Sequence, residues 1–453
     1  MAFFLPFSGH ALTSQTTANQ IQGTPPYLTF DGGRTRAVDA NGLLGITLSD
    51  GAHYTPSTNS SSATPISLPV EGQSFADIRM FVPTDTTSVA LSTLIGPPNN
   101  YWGDDDGDSG VSATGSLSLS IVDKNNQSVS RNSVLTTCNA PYRIKLSSTN
   151  GTLSTRYGFP NRSTFSARNV TYYVNPKGGP AVCFARPNLM FGKRGDSSYD
   201  PTWDFAGPSW MWDPAKGFLT QETDPLYYGR NFPTTGANGL YFDLVISGSS
   251  QPLSWSSVSR GGITATMSNP TATSVRVTLT GPYTTTSEQS STTPSPISKP
   301  TLPQTFELVG RDSRGNAVVR YGFTLKQWFV HRGSYSTYSY SPALSWCNSL
   351  GYRLVKVKDL TNASCRGSNS NTYCQGSVGA TPSSRNNFYT RHIGSGFLAE
   401  WGRMLDYSGV GFGNRWYWTS DPWRGTQFVV STYYGDVYVP FTSSSYYGLC
   451  SHP

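Results

Sequence analysis

Runs of alternating apolar and polar residues recur along the chain from about residue 28. SLSLSIV at 116–122 alternates strictly, and LYFDLVISG at 240–248 is almost continuously apolar. GITATM at 262–267 and SVRVTLTG at 274–281 alternate on either side of a SNPTAT turn. This pattern predicts an antiparallel β-sandwich of the immunoglobulin-like kind, and helical periodicity is absent before residue 340.

The pattern changes after a strong predicted strand at 318–330. SPALSWCNSLGYRL at 341–354 offers Ser341 as an N-cap, Pro342 at the first helical position and Gly351 as a stop, which predicts a helix. GFLAEWGRML at 396–405 has the spacing of a second short amphipathic helix. The last part of the chain is therefore expected to be α+β.

Strands return near the C-terminus. RWYWTSD at 415–421 predicts a central strand, and alternation places Trp416 and Trp418 on one face, which we expect to be the core. QFVVSTYYGDVYVPF at 427–441 predicts a hairpin that turns at 434–436.

These predictions divide the chain into four segments. A tail at 1–27 precedes a β-sandwich region at 28–282, which has room for two subdomains. A Ser/Thr/Pro-rich linker at 283–303 then leads to an α+β domain at 304–453.

Composition supports a mainly β protein and argues against several functions. Charged residues are 13% of the 453, aromatic residues are also 13%, and Gly, Pro, Ser, Thr and Asn fill the difference. The net charge is +7, but Lys and Arg are scattered, so nucleic acid is not an expected partner. A mild preference for anionic surfaces such as acidic glycans remains open.

The six cysteines indicate disulfides and an oxidising compartment. No CxxC pair and no zinc-ligand spacing occurs. Sequence alone leaves the connectivity open, and the pairing that we expect is Cys365–Cys374, Cys138–Cys183 and Cys347–Cys450.

The route of export is also left open. MAFFLPFSGHALTSQ lacks a basic start, and Pro6 breaks its apolar run, so it is a poor signal peptide. No stretch approaches the roughly 20 apolar residues of a membrane span. Either export is unconventional or the chain is one part of a larger surface protein.

The last third of the chain resembles a prokaryotic C-type-lectin-like domain. CNSLGYRL is similar to the helix-to-strand segment of that family, EWGRML to its second helix, RWYWTSD to the strand after the long loops, and GLC to the closing strand. Such domains cap rod-like surface adhesins of the intimin and invasin type, where they follow immunoglobulin-like domains.

The central part of the chain carries a second resemblance. WMWDPAKGFLTQ, YYGRNFPTTGANGLYFDLVISG, FELVGRDSRGNAVVRYGF and YWGDDDGDSG resemble an uncharacterised β-rich domain of enterobacterial surface adhesins. Together the resemblances imply an exported bacterial cell-surface adhesin that binds a host cell-surface protein or glycan through its C-terminal lectin-like domain, without cofactor or catalysis.

Calcium-dependent sugar binding is not implied by this resemblance. C-type lectins of that type use an EPN or QPD loop and a Trp-Asn-Asp strand, whereas this chain has neither loop and its strand reads Trp418-Thr419-Ser420-Asp421. That strand supplies few of the oxygen ligands that calcium requires.

A different segment is the candidate calcium site. Asp104, Asp105, Asp106 and Asp108 lie together on a Gly-rich loop and could surround a hard cation. The loop lacks the bidentate Glu of an EF-hand, so a solvated loop is the alternative.

Catalytic signatures are missing from the sequence. No histidine lies in HExxH, no GxSxG occurs, and the cysteines are expected in disulfides. We therefore predict no enzyme. An enzyme related to formylglycine-generating proteins would share distant fold features, but no catalytic cysteine stands out.

Binding residues are expected in and after the long loops between Cys365 and Trp423, where Tyr, Trp and Arg favour contact with a partner. The candidates are Tyr373, Arg385, Asn387, Tyr389, Arg391, His392, Tyr407, Phe412, Arg415, Asp421, Trp423 and Arg424. Alternatives to a host-receptor adhesin are a module that binds sugars directly, with Trp423 and Tyr389 stacking on the rings, and the receptor-binding tip of a phage fibre.

Overall fold

The computed structural model describes residues 22–187, 205–367, 369–413, 416–440 and 443–453. The chain forms two compact units, residues 1–178 and 179–453. Both consist mostly of β-strands, which confirms the predicted class. In the described ranges no helix has the length and apolar character to cross a bilayer.

The first unit is built on a five-stranded sheet. Its described elements are β1 (Tyr27–Leu28), β2 (Ile46–Thr47), β3 (His53–Tyr54), β4 (Ile66–Glu71), β5 (Ser88–Ala90), α1 (Ser92–Ile95), β6 (Trp102–Gly103), β7 (Ser112–Ala113), β8 (Ser116–Val122), β9 (Tyr142–Ser148), β10 (Gly151–Ser154), β11 (Arg162–Phe165) and β12 (Arg168–Lys177). The sheet order is β4-β12-β9-β8-β5, and β4 and β12 are parallel. SLSLSIV forms β8 as predicted, with Leu117, Leu119 and Ile121 buried in the core of this unit.

The second unit combines several sheets with short helices. Its described elements are β13 (Ala181–Arg186), β14 (Trp212–Asp213), β15 (Gly217–Leu219), β16 (Thr235–Ala237), β17 (Tyr241–Ser247), β18 (Ser254–Trp255), β19 (Val258–Arg260), β20 (Ile263–Ser268), β21 (Ser274–Thr280), α2 (Thr286–Ser290), β22 (Gln304–Arg311), β23 (Ala317–Leu325), β24 (Gln327–His331), α3 (Tyr340–Ser349), β25 (Arg353–Leu354), α4 (Val357–Leu360), α5 (Phe397–Trp401), β26 (Trp416–Trp423), β27 (Thr426–Ser431), β28 (Val437–Tyr438) and β29 (Leu449–His452).

Four sheets organise this unit. A seven-stranded sheet has the order β14-β15-β13-β17-β21-β20-β19, and β18-β22-β23 forms a three-stranded sheet. The C-terminal part contributes β16-β24-β29-β25 and β26-β27-β28. The predicted hairpin of 262–281 is β20 and β21, which pair antiparallel.

The predicted linker at 283–303 lies inside the second unit and is packed. The indole N–H of Trp346 donates to the Glu288 carbonyl at 3.0 Å, and the Ile297 N–H donates to the Leu350 carbonyl at 3.2 Å. One hydrophobic core continues across the segment from the sandwich strands to the C-terminal helices. The two units divide after Gly178, and the polar segment 283–303 belongs to the second unit, where it bonds to α3.

The two predicted helices form with altered bounds. The first, α3, starts at Tyr340, with Ser339 instead of Ser341 at the N-cap position, and Gly351 with φ +81° follows its end as expected. The second, α5, ends at Trp401, four residues before the predicted end. Gly402 has φ +80°, and a Cβ there would lie 2.3 Å from a guanidinium nitrogen of Arg391.

The predicted strand at 318–330 is two strands in different sheets. It breaks at Lys326, whose N–H donates to the Thr234 carbonyl at 2.7 Å. β23 continues the sandwich, whereas β24 enters the sheet of the C-terminal part, so this break joins the two regions of the unit.

Two of the expected disulfides have the predicted pairing. Cys347 in α3 bonds to Cys450 in β29 with a Cα–Cα distance of 5.5 Å, and Cys365 bonds to Cys374 at 5.4 Å. Cys138 and Cys183 are also disulfide-bonded. The Cys347–Cys450 bond closes a sequence separation of 103 residues, whereas Cys365–Cys374 closes one of 9.

Removing the long-range disulfide should destabilise the second unit strongly. For Cys347→Ala combined with Cys450→Ala we expect a loss of about 2–5 kcal/mol in the free energy of unfolding. The disulfide restricts a long loop of the unfolded chain, and without it the unfolded state has higher conformational entropy. Urea unfolding followed by tryptophan fluorescence measures this. The control is Cys365→Ala with Cys374→Ala, which releases a short loop and should cost less; equal losses would contradict the prediction.

Candidate functional site

The carboxylate of Glu400 is the polar anchor of the C-terminal part. Glu400 lies in α5 and is fully buried. It accepts hydrogen bonds from the main-chain N–H groups of Thr234, Thr235 and Gly394 at 2.8–3.1 Å. The hydroxyls of both threonines donate at 2.5 and 2.6 Å. Burial raises the pKa of Glu400, and these hydrogen bonds oppose the shift. The carboxylate therefore joins α5 to the start of β16 and to the loop that ends at Gly394.

Arg391 is a second buried polar group on the same loop. Its side chain has no exposed surface, and its Nη1 donates to the Glu400 carbonyl at 2.8 Å. The guanidinium carbon lies 4.5 Å from the centre of the Trp212 ring, a cation–π distance. The Arg391 N–H donates to the Phe205 carbonyl at 3.0 Å. A charged side chain expected at a binding surface is thus a structural part of the core.

The loop at 384–394 is fixed along its length by hydrogen bonds. Asn387 donates to the Val437 carbonyl at 2.9 Å and accepts from the Val437 N–H at 3.3 Å. The Tyr389 N–H donates to the Tyr434 carbonyl at 3.0 Å. Asn362 bonds to both main-chain groups of Thr390, at 2.9 and 3.0 Å. Side chains that leave this loop are consequently held in defined positions without regular secondary structure.

Next to this loop lies a cavity of about 300 Å³, which we call the aromatic pocket. Its wall combines four aromatic residues, three amide residues and one acid: Phe388, Trp416, Tyr434, Tyr438, Asn369, Asn371, Asn387 and Asp436. They come from the loops at 369–388, the start of β26 and the β27–β28 hairpin.

The aromatic side chains of the pocket support one another. The ring centres of Trp416 and Tyr438 are 5.6 Å apart, and Tyr373 packs on the far side of Tyr438 at 5.0 Å. Trp416 and Tyr438 are half-buried, so each keeps surface for contact. Because aromatic rings bury large areas at low entropic cost, this wall is suited to a ligand.

Asp436 is the ionisable group in the pocket whose pKa is shifted into the neutral range. Its Oδ1 is buried and accepts no hydrogen bond from the described residues. Burial raises the pKa of this carboxyl to about 7, against hydrogen bonds from its own main chain and from Ser431. The neighbouring main chain is fixed, since the Ser431 N–H donates to the Asp436 carbonyl at 3.0 Å. The pocket thus contains a carboxylate whose charge is poorly compensated by the protein.

A larger groove of about 600 Å³ lies on the other side of Phe388, which lines both cavities. Its wall consists of Gly207, Pro208, Ser209, Trp210, Ser383, Arg385, Asn386, Phe388, Thr390 and His392. Trp210 is 62% exposed, and Arg385 is exposed as expected. Burial lowers the pKa of His392, which is half-buried. Arg385 is therefore the cation of the groove at neutral pH among its described residues.

Five of the predicted binding residues are buried instead. The structure places Asn387, Tyr389, Arg391, Tyr407 and Phe412 in the interior, each no more than 5% exposed, although Asn387 also lines the aromatic pocket. Tyr407 donates its hydroxyl to the Trp401 carbonyl at 2.6 Å, for example. The core extends into the irregular loops, so loop residues that the sequence suggests are exposed are buried.

The predictions for the end of β26 are also corrected. The Val357 N–H donates to Asp421 at 2.5 Å, so this carboxylate caps α4. Trp423 and Arg424 pair with each other, at 5.2 Å, away from both cavities. Arg415 lies outside the described residues. Of the twelve candidates, Asn387 reaches the aromatic pocket, Arg385 and His392 line the groove, and exposed Tyr373 packs behind Tyr438.

The acidic loop of the first unit does not form a metal cluster. Asp104 accepts from the Asp106 N–H at 2.8 Å, Asp105 pairs with Arg36, and Asp106 accepts from the Thr24 N–H. In the described ranges no three His, Cys, Asp or Glu side chains are placed to bind a metal ion. The calcium site expected from Asp104, Asp105, Asp106 and Asp108 is therefore not supported by the described residues, and the carboxylates of Asp104, Asp105 and Asp106 bond to separate neighbours.

The acid and the aromatic residues that line the pocket were not among the binding residues predicted from the sequence. Trp416 was expected in the core beside Trp418, but Tyr417 and Trp418 are the buried pair and Trp416 lines the pocket. Trp416, Tyr417 and Trp418 pair with β27 in regular register, and Tyr417 and Trp418 are buried although they lie on opposite faces, so alternation alone does not identify the core face here. The signal that was available is the Tyr434–Asp436 turn, an acid between aromatics in a hairpin.

Comparison with known proteins finds structural neighbours only. No family model and no curated protein matches the chain. The crystal structure of invasin, described as a bacterial integrin-binding protein, is 13% identical with a TM-score of 0.35 and covers 77% of this chain and 52% of its own. This chain thus spans about half the length of that invasin chain.

Intimin is the second neighbour. A C-terminal 282-residue fragment in complex with the intimin-binding domain of the translocated intimin receptor is 11% identical, with a TM-score of 0.33 and coverage of 76% and 100%. An intimin mutant from EHEC O157:H7 is 14% identical, with a TM-score of 0.28 and coverage of 50% and 93%. At these identities and TM-scores the neighbours assign no function to the chain.

Replacing the anchor should destabilise the second unit. For Glu400→Gln we expect a loss of about 1–3 kcal/mol, because the amide nitrogen would face main-chain N–H donors that then lack an acceptor. Urea unfolding measures it. The matched control is Glu222→Gln, which removes a partly exposed ion pair with Arg230 and should change stability by about 1 kcal/mol at most. Similar losses in both variants would count against the anchor.

Asp436 should make stability depend on pH in a defined direction. The folded-state pKa of about 7 lies above the ordinary value of 3.8, so the folded state binds more protons between these values. The free energy of unfolding should therefore fall as the pH rises from about 4 to about 7. Asp436→Asn should flatten this slope in urea unfolding at several pH values. An unchanged slope would show that Asp436 titrates alike in both states.

Proposed function

We propose that the chain is the receptor-binding part of an exported bacterial cell-surface adhesin that engages a host cell-surface protein or glycan without catalysis. We assign the contact to the C-terminal region at 304–453, predicted to be C-type-lectin-like. The observation that carries the proposal is the aromatic pocket, where Trp416, Tyr438 and Asp436 face one cavity.

The fixed geometry of the pocket supports a binding role. Asn387 and Tyr389 are tied to the β27–β28 hairpin, so the loop and the hairpin that form the wall hold each other. A wall that is ordered before the ligand arrives loses little conformational entropy on binding. Tyr and Trp are also the residue types that contribute most at protein interfaces.

The composition of the wall favours binding over turnover. Glycoside hydrolysis uses two carboxyl groups on opposite sides of the scissile bond. Asp436 is the sole carboxyl group among the described residues that line the pocket, and neither histidine nor cysteine lines it. The groove adds His392 and Arg385, and among the described residues no hydrogen bond joins His392 to Ser209 or Ser383, which also line it.

Direct recognition of a sugar is the second candidate, and the exposed ring surface of Trp416 and Tyr438 favours it. These rings replace Trp423 and Tyr389 as the residues that would stack on a sugar, because Tyr389 is buried and Trp423 lies outside the pocket. The amide groups of Asn369 and Asn371 would then face hydroxyls.

Binding to cells tests the site. The labelled whole chain is added to cultured mammalian epithelial cells, and Trp416→Ala should lower the bound signal at least about tenfold, as loss of a hot-spot ring does. Trp423→Ala is the matched control and should bind like the wild type. Equal binding by Trp416→Ala and wild type would overturn the assignment of the pocket.

Treating the cells separates the two candidates. Trypsin treatment should abolish binding to a protein receptor, whereas mild periodate oxidation should abolish recognition of sugar diols. Binding that survives both treatments would refute both candidates. EDTA should have no effect, because the described lining residues offer too few oxygen ligands for calcium.

A further inference from the structure

The aromatic pocket has an electrostatic character that aromatic sugar-stacking surfaces do not require. Phe388, Trp416, Tyr434 and Tyr438 line a cavity that Asp436 also lines. The faces of aromatic rings carry negative electrostatic potential. Ring faces and carboxylate therefore favour the same kind of ligand, a positive charge.

The described residues supply no cation to this cavity. None of the eight described lining residues is Lys, Arg or His. Asp436 is in no ion pair among those that the described residues form, and its Oδ1 accepts no hydrogen bond. Burying the Oδ1 of a carboxylate without a hydrogen-bond donor is costly even though Ser431 bonds to the same side chain, and a cation near this carboxylate would reduce that cost.

The amide groups of the wall are only partly available to a ligand, because hydrogen bonds within the protein already occupy some of them. Both ends of the Asn387 amide bond to the main chain of Val437, and Asn371 accepts from the Tyr373 N–H at 2.9 Å. A sugar would have to rely on the remaining amide capacity and on Asp436. The Oδ1 atom of Asp436, which lacks a donor, therefore favours a charged donor over a neutral polyhydroxyl ligand.

We propose that the aromatic pocket binds one organic cation, the ammonium or guanidinium group of a lysine or arginine side chain that a receptor protein inserts between the rings and Asp436. This inference rests on the proposed function and specifies its protein candidate. A cavity of about 300 Å³ has room for a single such side chain.

The cation should bind through its charge, which fixes the pH dependence. The other ionisable groups of the pocket are Tyr434 and Tyr438, and burial raises the pKa of Tyr438 further above neutrality. Ser431 hydrogen-bonds to Asp436 and does not titrate. Since the pKa of Asp436 is about 7, affinity for a cation should be about tenfold lower at pH 6 than at pH 8.

Saturation-transfer NMR on the whole chain tests the inference with small probes. Nα-acetyl-lysine amide and Nα-acetyl-arginine amide are compared with Nα,Nε-diacetyl-lysine amide, which lacks the charge, and with methyl β-galactoside. Signal is expected for the two cations at millimolar concentration, about tenfold weaker binding with Asp436→Asn, and weaker binding with Trp416→Ala. Asp312→Asn, in an exposed turn of the same unit, is the matched control and should bind like the wild type.

The outcomes separate this inference from the proposed function. Equal signal from the uncharged lysine derivative or the galactoside, no signal from the cations, or undiminished signal with Asp436→Asn would each overturn the cation site. If the cation site is overturned but Trp416→Ala still loses cell binding, the proposed function stands without a cation site. If the cations bind but Trp416→Ala binds cells normally, the cation site stands and the receptor contact lies elsewhere.

Discussion

The arrangement of the C-terminal region depends on one buried carboxylate. Glu400 receives donors from Thr234, Thr235 and Gly394, which belong to segments far apart in the chain. An isolated carboxylate in the core would be strongly unfavourable, and the five donor groups make its burial possible. Since those donors are satisfied together only in this arrangement, the interaction selects the position of the loop that ends at Gly394. The walls of both cavities follow from that position.

The cavities differ in charge although they share Phe388. The aromatic pocket has Asp436 and no basic residue among its described lining, whereas the groove has Arg385 and a histidine whose pKa is lowered. A partner that covers both would meet an acidic and a basic position on either side of one ring. Such an arrangement would fix the orientation of a bound partner, because a partner bound with its charges reversed would meet like charges.

Much of the fold could be predicted from local patterns. The run at 116–122 is β8 and Gly351 ends a helix, because alternation and positive φ act locally. The pairing of Cys347 with Cys450 is expected from their positions at the start and end of the last predicted domain. The site was much less predictable. Arg391 is predicted to bind a partner because arginine in a long loop favours such contact, yet it is buried, packs against Trp212 and donates to the Glu400 carbonyl. Such contacts join residues distant in sequence, and one sequence carries no local sign of them.

The bond between Cys347 and Cys450 has a mechanical consequence for an adhesive protein. All eight described lining residues of the pocket, from Asn369 to Tyr438, lie between these two cysteines. A receptor that pulls on the pocket therefore loads a closed covalent ring, and the tension divides between its two arms. The ring can be drawn out to only about half its contour length before the backbone is taut, whereas an open chain would unravel fully. For the proposed adhesin, this bond would thus limit how far the site can extend under load.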